Sequence, residues 1–156
     1  MNAKAKGLLL VTVGIIAIQF IPIDRTNPAV TADLQAPDDI KTMLTTSCYD
    51  CHSNQTVWPW YSYVAPISLQ LNSHIKQGRE RLNFSTWGEY TVKEQKELAS
   101  SVVREVSVGN MPKFPYTLAH PAARFNEEQQ TRLTNWFKEA FAVSEKEVEG
   151  HDHNAH

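Results

Sequence analysis

Apolar and polar positions divide the chain into stretches of different character. From Gly7 to Ile23 there is no charge, and only Thr12 and Gln19 interrupt the apolar pattern; Lys4 and Lys6 precede the run, and Asp24 and Arg25 close it. Its 17 residues stand at the lower limit for a helix that spans a bilayer. The lysines ahead of it would hold the N-terminus in the cytoplasm and place the remainder across the membrane. The pattern therefore predicts a single-pass membrane anchor over residues 1–24, in a bacterial inner membrane, with the rest of the chain facing the periplasm. A cleaved signal peptide is the competing reading, with Val30-Thr31-Ala32 as a small-residue cleavage site. That tripeptide lies some distance past the apolar run and beyond Pro28.

Between Asp24 and Pro37 the chain is polar and holds Pro28 as well as Pro37, which predicts an extended linker over residues 25–36. From residue 37 to 142 the apolar spacing is helical rather than alternating. Pro37-Asp38-Asp39 suits a helical first turn, with Ile40, Met43 and Leu44 as the apolar stripe. A second helix starts near Pro66, where Ile67, Leu71, His74, Ile75 and Gly78 share one face. A third begins at Thr91, with Glu94 completing a capping box, Leu98, Val102 and Val106 facing inward and Gly109 at its C-terminal stop. The last starts at Asn126 and buries Leu133, Trp136, Phe137 and Phe141. The pattern predicts an all-α domain of about four helices joined by aromatic loops, after the N-terminal transmembrane helix.

Chemistry is concentrated in Cys48-Tyr49-Asp50-Cys51-His52, the C-x-x-C-H pattern of covalent c-type haem attachment. In a helical turn the two thiols share a face and can reach the two vinyl groups of one porphyrin, with His52 placed to give the iron an imidazole nitrogen. Other readings of the two cysteines are weaker. A thioredoxin-like redox pair needs a βαβ context that is missing. A structural zinc site lacks its second cysteine pair. A plain disulfide leaves His52 without a role. Thioether attachment takes place outside the cytoplasm in bacteria, which agrees with the exported topology of the apolar run.

Three residues are candidates for the opposite side of the iron. Met111 precedes Pro112, which biases it toward an extended loop that can lay a thioether against a flat ring; the same residue could instead simply fill a gap in the core. His74 lies on the second helix's stripe. His120, held before Pro121, reads better as a residue that fixes its loop. Met111 is favoured as the sixth ligand and His74 is the alternative.

Several further blocks, in order along residues 38–140, resemble the haem-binding domain family of bacterial monohaem c-type cytochromes, which are often membrane-anchored. They are Cys48 to Asn54, Pro59-Trp60-Tyr61, His74 with Gly78-Arg79, Leu82-Asn83-Phe84-Ser85 with Trp87, Met111-Pro112 with Tyr116, His120-Pro121, and Trp136. The resemblance implies a cytochrome c-like fold and one covalent haem c per chain, its iron held by His52 and, by expectation, Met111.

The rest of the composition narrows the function. In 156 residues with 42% hydrophobic content there is room for one modest domain plus appendages. A haem would supply much of the apolar core that a domain of roughly 100 residues struggles to build. The net charge of −2, with both signs mixed along the chain, gives no basic footprint for nucleic acid. The leading expectation is an electron-transfer protein rather than an enzyme, serving redox partner proteins of a respiratory or periplasmic chain. A peroxidase-like enzyme or a haem-based sensor with a labile sixth ligand is the alternative. Residues 143–156, acidic and then carrying His151, His153 and His156, read as a solvated, disordered tail.

Overall fold

The computed structural model describes residues 2–149, and the three histidines of the tail lie outside them. Every regular element among the described residues is helical. In chain order these are α1 (Ala3–Ile18), α2 (Asp38–Ser47), α3 (Tyr49–His52), α4 (Ile67–Arg81), α5 (Val92–Ser107), α6 (Phe114–Ala119), α7 (Glu127–Ala140) and α8 (Glu145–Glu149), with short 3-10 segments at Trp60–Tyr63, Phe84–Glu89 and Pro121–Ala123.

The expected transmembrane helix is not there. Among the described residues no helix is long and apolar enough to cross a membrane. α1 carries the apolar run, but it ends at Ile18 after 16 residues. At about 1.5 Å per residue such a helix rises about 24 Å, short of a hydrocarbon core of about 30 Å. Gln19 stands at its C-cap. Its side-chain amide donates to Ala65 O at 3.1 Å and accepts from Ala65 N at 3.0 Å, so the polar residue inside the run fastens to the domain.

The stretch expected to be a linker is extended but does not hang free. Arg25 donates to Ser62 O, Asn27 to Thr56 O, and the backbone N–H groups of Thr31 and Ala32 to Ser85 O. Leu34 N donates to Phe84 O at 2.9 Å, and the Leu34 side chain is buried in the core. A polar composition conceals this docking, because backbone hydrogen bonds leave no mark in the residue pattern.

The four expected helices form, and two of them start on the capping signals of the sequence. Thr91 and Glu94 close a reciprocal capping box at the start of α5, and Asn126 with Gln129 does the same for α7. α5 and α7 pack together around Val102, Val103, Val106, Leu133 and Phe137. Ile40 and Leu44 of α2 complete the apolar cluster, with Phe84 and Trp87 from the loop after α4. Its aromatic rings interlock, with Phe84–Trp87 centroids 5.9 Å apart, Trp87–Phe137 6.3 Å and Trp87–Phe141 4.9 Å. On α4 the inward face is Ser68, Ile75 and Gly78, while Ile67 and His74 are exposed, so the buried stripe is narrower than the sequence suggests.

Residues 143–149 also depart from the expectation of a disordered tail. Val143 is buried, α8 packs on α5, and Ser100 Oγ donates to Glu147 O at 3.0 Å. Glu147 accepts from the Ser144 hydroxyl and N–H and pairs with Lys96 at 2.7 Å; these partners hold its carboxyl down at about 2.

Candidate functional site

The C-x-x-C-H motif occupies the break between α2 and α3. Cys48 leaves the α2 helix at φ −125°, ψ −37°, and the chain rewinds for one more turn. Cys51 N and His52 N both donate to Cys48 O, at 3.1 and 2.9 Å, so one helical turn joins all three residues as their spacing predicts. Tyr49, between the thiols, anchors the turn by stacking on Phe84 with centroids 5.5 Å apart. Its hydroxyl donates to Asp33 and accepts from Lys41, which itself pairs with Asp33.

His52 is set up to offer one nitrogen. Its Nδ1 lies 3.0 Å from Gly78 O and 3.2 Å from Leu82 O. Carbonyls only accept, so Nδ1 must carry the proton, and Nε2 is left with a free lone pair. Burial holds the imidazole below its ordinary pKa, against the pull of those two hydrogen bonds, and so favours the neutral form a metal ligand needs. A backbone carbonyl fixing the tautomer of a ligating histidine is the arrangement expected around protein-bound metals.

Both cysteines are free thiols. Burial, with the neighbouring Cys51 adding to it, raises the Cys48 thiol to about 12. Burial and the Asp50 carboxylate raise Cys51 to about 11. Thiols held in the protonated form are poor redox nucleophiles, which speaks against a thioredoxin-like pair. Nor do three or more His, Cys, Asp or Glu side chains converge on a metal position among the described residues, which is what a zinc site would require. Two free thiols and one imidazole nitrogen with an open lone pair lie on a single turn, a donor set that fits a haem.

α4 crosses the motif at very close range. A Cβ built on Gly78 would sit 2.5 Å from Cys51 O. Glycine is therefore required here, because the approach that brings Gly78 O to His52 leaves no room for a side chain. The next residue, Arg79, ties the surrounding loops together: Nε donates to Ser53 O at 2.8 Å and Nη2 to Asn27 Oδ1 and Thr56 Oγ1. Beneath this, Asn54 N donates to Ser85 Oγ, Asn83 Nδ2 to Asn54 Oδ1, and Ser85 N to Asn83 Oδ1, all buried. Blocks far apart in the sequence thus close into one satisfied polar network around the motif.

A second connection runs to α6. Tyr116 Oη donates to Asp50 Oδ2 at 2.8 Å, and the Tyr116 ring stacks on His120 with centroids 4.5 Å apart. His120 Nε2 shares a 2.7 Å hydrogen bond with the Tyr61 hydroxyl. His120 is thus engaged in holding its loop. Asp50 Oδ1 also accepts from Val57 N at 2.9 Å, so one carboxylate between the two cysteines fastens two loops. Tyr116→Phe removes the α6 contact and leaves Asp50 Oδ2 unpaired. It is expected to lower stability by about 1–2 kcal/mol, read as a drop in the urea midpoint with an unchanged slope.

Met111 sits in the turn after α5, and the turn has a clear physical origin. Gly109 adopts φ +74°; its N–H donates to Val106 O, and Asn110 N donates to Glu105 O at 2.9 Å. This is a Schellman closure, and it reverses the chain so that Met111 N also reaches Glu105 O at 3.1 Å. The half-buried Met111 lines a cavity of about 200 Å³ with Val106, Phe114, Arg124 and Phe125. Cys48, Cys51 and His52 are not among its walls. What the two regions share is the core, because Cys48 and Met111 pack against the same apolar cluster. His74 is exposed on α4, one turn before Gly78.

Sequence reasoning missed Asp50 and Tyr116 as partners and the Leu82 carbonyl as a tautomer-setting acceptor. Gly78 did leave a signal, since a glycine inside a helical apolar stripe marks either a weak helix or a close backbone approach.

An all-helical domain folded around a C-x-x-C-H turn, with its imidazole tautomer set for a metal, is a haem protein. The chain belongs to the haem-binding domain family, whose model matches residues 13–139. No curated protein and no solved structure matches it.

Proposed function

We propose that this domain is a monohaem c-type cytochrome that carries single electrons outside the cytoplasm, between redox partner proteins. A haem would be held by thioether bonds to Cys48 and Cys51, with His52 Nε2 and Met111 Sδ as the residues that would ligate its iron. The observation that carries the proposal is the pair of hydrogen bonds from His52 Nδ1 to Gly78 O and Leu82 O, which leave Nε2 with an open lone pair on the turn bearing both thiols. Bound haem supplies one-electron chemistry at its iron, and thioether ligation favours the ferrous state. The chain's own residues hold the ring, exclude water and fix the ligand, which is the protein's share in cofactor redox chemistry. Met111 is preferred over His74 because the Gly109 turn holds it half-buried against the core that Cys48 also touches, whereas His74 faces solvent.

The optical spectrum of the oxidised protein tests the reading. The weak far-red band of methionine-bound ferric haem is expected in the wild type and in His74→Ala, and should vanish in Met111→Ala together with a fall in reduction potential. A high-spin spectrum with rapid peroxide turnover would instead mark a haem enzyme.

A further inference from the structure

Arg79 is half-buried, and its hydrogen bonds among the described residues go to neutral oxygens rather than to a carboxylate. Burial lowers its pKa from the ordinary arginine value, the mark of a cation drawn partly out of water. Bonded in this way, a guanidinium serves geometry more than charge pairing, because its rigid fork fixes the groups it meets. Those groups come from separate stretches of chain. Nε donates to Ser53 O at 2.8 Å, next to His52. Nη2 donates to Thr56 Oγ1 at 2.8 Å, in the loop after the motif, and to Asn27 Oδ1 at 2.7 Å. Asn27 Nδ2 in turn donates to Thr56 O at 3.0 Å. The stretch that carries Asn27 is held along its length: Asn54 Nδ2 donates to Ala29 O at 2.7 Å, Gly88 N to Ala32 O at 2.9 Å, and Leu34 is buried. Residues 26–34 therefore lie as a strap against the loops that follow the motif and α4. Arg79 directly follows Gly78, whose carbonyl holds His52 Nδ1 at 3.0 Å and which has no room to move toward Cys51. Two neighbouring residues of the motif are thus bonded to two neighbouring residues of α4, and Asn27 steadies the guanidinium that makes one of those bonds.

We infer that Arg79 is a positioning residue through which the strap, by way of Asn27, sets the His52 imidazole. The inference rests on the haem reading above and adds a control on the ligand from a stretch of chain outside the motif. A firmly held Nδ1–H makes a ligating imidazole a stronger donor to its metal. Loosening it weakens that donation and raises the reduction potential.

The test uses the full chain loaded with haem in an exporting host. Intact mass shows the haem attached, and loss of the low-spin spectrum in His52→Ala shows its ligand; failure of either refutes the haem reading itself. A mature, haem-loaded chain that lacks residue 27 would overturn this inference alone. In the ferrous protein, exchange of the His52 Nδ1–H with solvent reports its hold on the two carbonyls. Asn27→Ala, which changes no charge, is expected to speed that exchange about tenfold, the size of one net hydrogen bond, and to raise the reduction potential. Arg79→Lys keeps the charge but not the fork and is expected to do at least as much. On that background Asn27→Ala should add nothing further. Thr31→Val removes a different strap contact, the hydrogen bond from Thr31 to Glu89, and should leave both readings unchanged. If Asn27→Ala leaves exchange and potential at wild-type values, or if Thr31→Val moves them equally, the strap only adds stability and the inference is overturned.

Discussion

Gly78→Ala is expected to be the most damaging single-methyl change in the chain, lowering stability by about 3 kcal/mol and sharply reducing haem loading. Two effects oppose each other. Alanine in place of glycine inside a helix would ordinarily add about 1 kcal/mol through backbone entropy. Against that, the added Cβ would meet Cys51 O at 2.5 Å, and the obstacle is backbone rather than the end of a pliant side chain. α4 must therefore move off the motif, and it takes the Gly78 carbonyl away from His52 Nδ1 as it goes. The clash outweighs the propensity gain. Urea denaturation and the ratio of haem absorbance to protein check both parts; a variant as stable and as fully loaded as the wild type would show that α4 does not set the imidazole.

His52→Ala should be nearly as severe, for a different reason. The Gly78 and Leu82 carbonyls lose their shared donor, at a cost of about 1–3 kcal/mol, and under the proposed ligation the iron would lose its imidazole. The small residue leaves an imidazole-shaped space on the turn, so free imidazole added to the variant is expected to restore the low-spin spectrum. A merely structural histidine would not produce that rescue. An unchanged spectrum in the variant without imidazole would remove His52 from the iron.

Particular residues show why some of this could be read in advance. Helix starts were legible because capping is local: Thr91 with Glu94 and Asn126 with Gln129 announce themselves within four positions. Gly109 was legible as a stop for the same reason, because a positive φ there suits glycine and little else. The placement of Cys48, Cys51 and His52 on one turn was legible because it needs only local helical geometry. The docking of residues 25–36 was not, since its acceptors are backbone carbonyls of residues distant in the chain. The apolar run misled because composition fixes hydropathy but not where a helix ends; the cap residue Gln19 bonds to Ala65, 46 positions away. The Asp50–Tyr116 contact was hidden likewise, joining residues 66 apart. α8 was missed because its short acidic segment shows no apolar stripe of its own, and it is held by Ser100 and Lys96 of α5.

The account stands on sulfur joining porphyrin to the turn at Cys48 and Cys51. Intact-mass measurement of denatured protein, produced in a bacterium able to mature exported cytochromes, tests this most directly. The wild type is expected to retain the mass of one haem after denaturation, with tandem spectra placing it on the peptide that contains both cysteines, and the Cys48→Ser, Cys51→Ser double variant is expected to retain none. A wild-type chain that sheds its haem on denaturation, or a double variant that keeps it, would contradict the account.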